Sequence, residues 1–324
     1  MAEKIKFGFL RLGGCAGCDM AIVDMSDKLI DKLEHLDVVF WAPAGADFKY
    51  KDLENMDDNF IDFAFVSGMV RFDEHEDLLK ILRKKSKTLV AFGICASLGG
   101  IPAMANLHPA GEVLDKAYKD TFTTDNPEDI RPMTKCLVED KYELTLPALL
   151  DKVKCASDVV EVDYLIGGCP PHHEFLAEVI EKITSYELPP KGSWIGTGKS
   201  VCDNCGRNPA QKGQKRQIAE DIKRTFEGTP EEEKCLLEQG YLCFGPFTEG
   251  FCGASCPKVG IPCRGCGGPL PEVKDFGAQG MSVLGSILSD KATDKLFKKY
   301  PNFTKFIYRY SLAGSLIEKI KNKG

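Results

Sequence analysis

No unbroken apolar run in the chain reaches the roughly 18 residues that a membrane helix needs. The best candidate, Ile61 to Val70, is short and carries Asp62, so insertion into a membrane is not expected. Nor is positive charge in excess: 42 Lys and Arg stand against 48 Asp and Glu, for a formal net charge of -6. Binding to phosphate backbones needs concentrated Lys and Arg, so nucleic acid is not the expected partner. The start of the chain, Met1 to Lys4, runs straight into a strand-like segment without the charged, apolar and cleavable regions of an export signal. The expected compartment is therefore the cytoplasm.

Two nucleotide signatures are also missing. No G-x-G-x-x-G lies at the first strand-to-helix turn, which removes the dinucleotide fingerprint. Gly196 to Ser200 (GTGKS) looks like the end of a P-loop, but Ser193 stands where the first glycine belongs and no strand is expected before it. What the chain has instead is cysteine. Of its 14 cysteines, eight fall between Cys202 and Cys266. In a reducing compartment, cysteines in C-x-x-C pairs point to metal ligation ahead of disulfides.

Along the first half, short apolar runs alternate with helical patterns. Strands are expected at Ile5 to Leu12, Asp37 to Trp41, Asp62 to Ser67, Thr88 to Phe92 and Val159 to Ile166. Helices are expected at Asp19 to Leu36, Asp73 to Lys87, Leu146 to Lys154 and Glu174 to Tyr186, with Leu98 to Glu143 as an excursion of short helices and loops. This alternation implies an α/β fold, a doubly wound parallel sheet covered on both faces. Pro189 and Pro190 mark the expected domain boundary, which separates residues 1–188 from 189–324. The second part is rich in Gly, Pro and Cys, with helices expected only at Ala210 to Glu227, Glu231 to Gln239 and an amphipathic tail, Phe303 to Lys323. So little regular structure would struggle to offset chain entropy by apolar burial, and metal cross-links are the expected substitute.

Cys15, Cys18, Cys95 and Cys169 each follow an expected strand, in loops that contain glycine. Loops that leave the carboxyl ends of parallel strands gather at one edge, so these four thiols should converge there. Four thiolates suit a [4Fe-4S] cube. Cys136 and Cys155 lack this placement and are read as small buried thiols. His172 and His173 stand before a helix, where capping or partner contacts are expected ahead of metal ligation. The eight cysteines of the second half, Cys202, Cys205, Cys235, Cys243, Cys252, Cys256, Cys263 and Cys266, allow two further four-thiolate sites, of either zinc or iron and sulfur. Zinc has no redox chemistry and would leave the quartet at the sheet edge unexplained.

Leu12 to Asp19 (LGGCAGCD), Phe92 to Ser97 (FGICAS), Gly167 to Pro171 (GGCPP) and the ordered cysteines that follow resemble the small, electron-transferring subunits of nickel-iron hydrogenases. Within that family the likeness is to the cytoplasmic methanogen type that does not reduce F420, also called methyl-viologen-reducing. The resemblance spans nearly the whole chain. It implies a flavodoxin-like domain followed by a loop-rich, mostly irregular iron-sulfur domain. It also implies a proximal cluster on Cys15, Cys18, Cys95 and Cys169, a distal one on Cys202, Cys205, Cys235 and Cys243, and a medial one on Cys252, Cys256, Cys263 and Cys266. No side chain is expected to be catalytic, because the nickel-iron site lies on the separate large subunit. Electrons from hydrogen would pass from proximal to medial to distal. Beyond them, the implied acceptors are a small iron-sulfur delta-type subunit and a flavin-containing heterodisulfide reductase.

Two departures from the family pattern matter. Many relatives have histidine as the first distal ligand and a proline near Cys256; here both places supply thiolate, which implies three [4Fe-4S] clusters of low potential. Gly14 and Ala16 flank Cys15 where many relatives carry glutamate and threonine, which removes those side chains from any proton route. The rival readings are the gamma subunit of an F420-reducing hydrogenase, the cluster-bearing subunit of a respiratory NADH dehydrogenase or energy-converting hydrogenase, which lacks the second domain, and a zinc-stapled scaffold without redox function.

Overall fold

The computed structural model describes residues 4–45 and 47–321, so Met1 to Glu3 and the last residues of the expected tail helix lie outside the described residues. The first half begins with β1 (Ile5–Arg11), α1 (Gly17–Val23), α2 (Asp27–Leu33), β2 (Leu36–Trp41), α3 (Tyr50–Asn55), β3 (Ile61–Ser67), β4 (Val70–Phe72) and α4 (Asp73–Lys85). It continues with β5 (Ser86–Phe92), α5 (Ile94–Leu98), α6 (Ala110–Tyr118), β6 (Lys135–Val138), β7 (Tyr142–Thr145), β8 (Leu149–Lys154), β9 (Tyr164–Ile166) and α7 (His173–Thr184). After β10 (Ser193–Trp194) come α8 (Ser255–Lys258), α9 (Phe276–Ile287), α10 (Asp290–Lys299), α11 (Phe303–Ile307) and α12 (Leu316–Lys321).

Six strands form one parallel sheet in the order β10-β9-β5-β3-β1-β2. The chain thus moves outward from β1 to one edge, returns to the other side at β3, and fills the remaining places in sequence. This is the flavodoxin-like arrangement, with its switch point between β1 and β3. Period-two alternation explains why the strands are so apolar. Phe63 and Phe65 of β3 belong to the core beneath α1 and α7, whereas Ala64 and Val66 belong to the core beneath α4, with Leu79 and Leu82. Among the described residues, no helix is long and apolar enough to cross a membrane.

Several expected elements take a different form. The helix expected at Asp19 to Leu36 breaks at Ser26, which has a φ of 52°, and becomes α1 and α2. Leu146 to Lys154 shows helical spacing, yet its ordered part is strand β8, antiparallel to β4 with Val70 opposite Lys154. Pairing to an exposed edge overrides the local pattern there. Of Val159 to Ile166 only β9 is strand. β6 and β7 form an exposed hairpin inside the expected excursion, and Cys136 on it is exposed, not buried; Cys155 is buried as expected.

The second half departs most. Ala210 to Glu227 is not a helix: after one turn at Pro209–Lys212 it runs as an irregular strap, in which the Ala219 N–H donates to the Ile287 carbonyl at 2.8 Å. Glu231 to Gln239 is a turn held by the Gln239 amide, which donates to the Glu231 and Lys234 carbonyls at 3.2 and 2.9 Å. The long helices are α9 and α10, and the tail is two short helices, α11 and α12. Gly196 does follow the two-residue β10, but a 3-10 turn at Val201–Asn204 stands where a P-loop would open a long helix.

Buried Asp163 joins the two halves. Its carboxylate pairs with Arg83 at 2.7 Å and with Lys191 beyond the double proline, and it accepts the Leu89 N–H at 2.8 Å. Burial alone would raise its pKa, but the bonds from Lys191, Leu89 and Arg83 outweigh that and hold it below the usual carboxylate range. A lowered folded value means the stabilisation is present above the unfolded pKa of about 3.9 and is lost as pH falls through the folded value. Asp163→Asn is therefore expected to reduce unfolding free energy at pH 7 by about 1.5–3 kcal/mol, the scale of a hydrogen bond to a charged group. In denaturant titrations the gap from wild type should close at the acid end.

Candidate metal centres

The carboxyl ends of β1, β3, β5 and β9 are adjacent, and their loops are fastened to one another through the backbone. The Gly13 and Met69 N–H groups donate to each other's carbonyls at 3.1 and 2.7 Å, and the Ile94 N–H donates to the Gly168 carbonyl at 2.8 Å. One cavity of about 70 Å³ lies between them, lined by Cys15, Cys18, Cys95 and Cys169. The sequence places these four thiols at one sheet edge, and the structure brings them together there, at the switch point.

Glycine allows the approach. A Cβ on Gly93, whose φ is +82°, would lie 2.5 Å from the Cys18 sulfur. Burial first, and then the neighbouring Cys169 and Cys15, pushes the Cys95 thiol up to about 12. Burial also drives Cys18 up, followed by Cys95, Cys169 and Cys15. Thiols this crowded and desolvated keep their protons until a cation compensates them. Cys15 and Cys169 are exposed, so the cavity opens to the surface at the start of α1, the helix that also carries the exposed Met20 and Val23.

A second quartet forms from Cys202, Cys205, Cys235 and Cys243. Burial, then Cys243, Cys235 and Cys205, raises Cys202 to about 12 against the lowering effect of Arg216. Cys243, pushed up to about 11 mainly by burial, accepts the Cys263 N–H at 3.2 Å. Cys252, Cys256 and Cys266 neighbour one another, and Cys263 lies beside both Cys243 and Cys266. Cys266 is raised to about 12 by burial, then by Cys252, Cys169 and Cys256, and buried Cys263 is raised with Cys243 as its strongest neighbour.

All 14 cysteines are free, so no disulfide competes for these sulfurs. Among the described residues, no three His, Cys, Asp or Glu side chains close around a point as a single ion would require. Sets of four thiols are the donor chemistry of an iron-sulfur cube and of a tetrahedral zinc alike. His172 stands at the N-cap position of α7 without a side-chain capping bond, its ring stacked on His173 at 4.5 Å, and joins none of the quartets.

Two features were not read from the sequence. Arg216 donates from Nη1 to the Cys235 sulfur at 3.2 Å. Its signal was present: from Asn204 to Ala219 the chain carries four basic residues and no acidic one. The other feature is Gly167, where a Cβ would lie 1.9 Å from the Gly267 carbonyl oxygen. This backbone approach seats the Cys266 loop against the Cys169 loop.

The fold and the grouped thiols define a flavodoxin-like protein with thiol-rich candidate metal sites. The sequence profile of the family described as NADH ubiquinone oxidoreductase, 20 Kd subunit, matches residues 15–183. The iron-sulfur subunit of the F420-non-reducing hydrogenase of Archaeoglobus profundus is 57% identical over 97% of this chain and 98% of its own. A subunit of the F420-non-reducing hydrogenase of Methanothermobacter marburgensis is 37% identical over the whole of both chains. A chain of the H2-activated [NiFeSe]-hydrogenase from Dm. baculatum superposes with a TM-score of 0.53 over 85% of this chain and 97% of its own, at 17% identity, a likeness of fold alone. The chain belongs to the family of these F420-non-reducing hydrogenase subunits, in agreement with the motif resemblance, and is part of an oxidoreductase complex. The family implies iron-sulfur clusters.

Two glycine substitutions test the close packing. Gly93→Ala is expected to lower the iron bound per chain after reconstitution, because its methyl group takes the space of the Cys18 sulfur. Gly167→Ala is expected to lower the thermal midpoint by forcing the Gly267 backbone away; unchanged iron content and melting in both variants would contradict this account.

Proposed function

We propose that this chain is the electron-transfer subunit of a nickel-iron hydrogenase, with three [4Fe-4S] clusters. Cys15, Cys18, Cys95 and Cys169 would hold the proximal one, Cys252, Cys256, Cys263 and Cys266 the medial one, and Cys202, Cys205, Cys235 and Cys243 the distal one. One observation carries this order: the three quartets adjoin in series. Cys169 of the first neighbours Cys266 of the third, and Cys263 of the third neighbours Cys243 of the second.

Bound there, the clusters would supply sites that gain and lose one electron at a time. The chain's own residues would supply the thiolates and bury those of Cys205, Cys243 and Cys263. No side chain here acts as an acid or base toward hydrogen. In this reading the division at 188/189 separates a flavodoxin-like unit with the proximal site from a cysteine-rich unit with the other two. The open proximal cavity and the exposed Met20 and Val23 form the face for the large subunit. At the distal end the partners are a small iron-sulfur delta-type subunit and, beyond it, heterodisulfide reductase, in the cytoplasm. Kinship with the F420-non-reducing hydrogenases favours this over the F420-reducing gamma subunit.

Anaerobically purified complex is expected to contain about twelve irons and twelve sulfides on this chain, four for each cube. A total near four, or zinc in place of iron, would overturn the three-cluster reading. Cys202→His is expected to keep the distal irons but raise that cluster's midpoint in EPR-monitored redox titration, since a neutral imidazole replaces a thiolate.

A further inference from the structure

Arg216 stands out among the cations near the quartets because it touches a sulfur. Its Nη1 donates to the Cys235 sulfur at 3.2 Å, and its Nη2 donates to the side-chain oxygen of Asn208 at 3.3 Å. Asn208 is itself buried and held on both sides. Its amide donates to the Cys202 carbonyl at 3.0 Å, and its oxygen also accepts the Ala210 N–H at 3.3 Å. The guanidinium is thus clamped over one ligand by a residue fastened to the backbone of another.

Ion pairing sets Arg216 apart from the cations around it. Lys212, close by in the same strap, pairs with Glu233 at 2.7 Å, whereas no Asp or Glu among the described residues lies within ion-pairing distance of Arg216. Its positive charge is therefore directed at the thiols and is not neutralised by a carboxylate. Arg264, the comparable arginine near the third quartet, instead donates to the Leu242 carbonyl at 3.2 Å and lies over the Phe306 ring.

We infer that Arg216 is a positioning residue that sets the reduction potential of the distal cluster, holding it above the value that four bare thiolates would impose. Reduction adds a negative charge to an already anionic cluster. A fixed cation with an N–H aimed at one ligand sulfur stabilises the reduced form more than the oxidised one, and hydrogen bonds to sulfur and net charge are established determinants of cluster potential. Arginine suits the task because it stays charged at any working pH and its planar fork can bond the sulfur and Asn208 together. In a subunit whose distal site is all thiolate, this would make the last station a better electron acceptor than its ligands alone allow. The inference rests on the proposed distal quartet.

The test uses the anaerobically purified hydrogenase complex that contains this chain, with iron and sulfide analysis beside EPR-monitored redox titration. Wild type is analysed first: absence of a third cluster there refutes the quartet assignment itself, independently of Arg216. With irons intact, Arg216→Gln is expected to lower the midpoint of one cluster signal and leave the other two unchanged. The expected size is at least a tenfold loss in the reduced-to-oxidised ratio at fixed potential, about 59 mV for one electron. Arg216→Lys, which keeps the charge but not the fork, should titrate between the two. An iron-replete Gln variant that titrates with wild type, or one that moves all three signals together, overturns the inference. If the Gln variant loses the distal irons, Arg216→Lys decides: a midpoint below wild type supports the role, and one equal to wild type refutes it.

Discussion

Sulfur ligands repel one another as soon as they ionise, and burial makes each of them harder to ionise. A protein that gathers thiols such as Cys15, Cys18, Cys95 and Cys169 around one cavity must therefore hold them by other means until a cation arrives. That constraint organises the molecule. Around the first quartet the holding is done by the parallel sheet, whose adjacent strand ends bring the loops together and whose backbone bonds, such as Ile94 to Gly168, keep them from spreading. Burial drives the thiols of Cys18 and Cys95 upward, so the backbone holds them where ionisation is disfavoured.

The second half solves the same problem without a sheet. Its strap from residue 213 onward, its turns and its side-chain amides replace regular hydrogen bonding, as Gln239 and Asn208 do for neighbouring carbonyls. Apolar support comes from α9 and α10, through Leu284, Ile287, Ala292 and Leu296, and from Phe244 and Phe247 beneath them. The helices act as a floor on which cysteine-bearing turns rest, which is why the region can be so irregular and still ordered.

Continuity between the halves depends on three local devices. Asp163 binds cations from both sides of the double proline, the Phe175 and Phe251 rings stack at 4.8 Å, and Gly167 lets the Gly267 backbone come close. The last of these sets the Cys169 loop beside the Cys266 loop. A side chain at Gly167 would force these two loops apart, and with them the first and third quartets.

The sequence alone made the α/β alternation legible, because β3 and β5 carry apolar runs, Phe63–Val66 and Leu89–Phe92, that lead into Gly68 and into Gly93 and Cys95. It also marked which four cysteines share an edge, since that follows from strand order in any doubly wound sheet. Elsewhere local pattern misled. Leu146 to Lys154 has helical spacing but its part Leu149–Lys154 pairs with β4, and Ala210 to Glu227 and Glu231 to Gln239, read as helices, direct hydrogen bonds to α9 and to their own side chains. Which of the eight later cysteines neighbour one another, that Arg216 reaches Cys235, and that Gly167 meets Gly267 were decided only by tertiary structure. Those contacts join residues far apart in the chain through irregular backbone, and no periodic signal in a sequence encodes where such backbone turns.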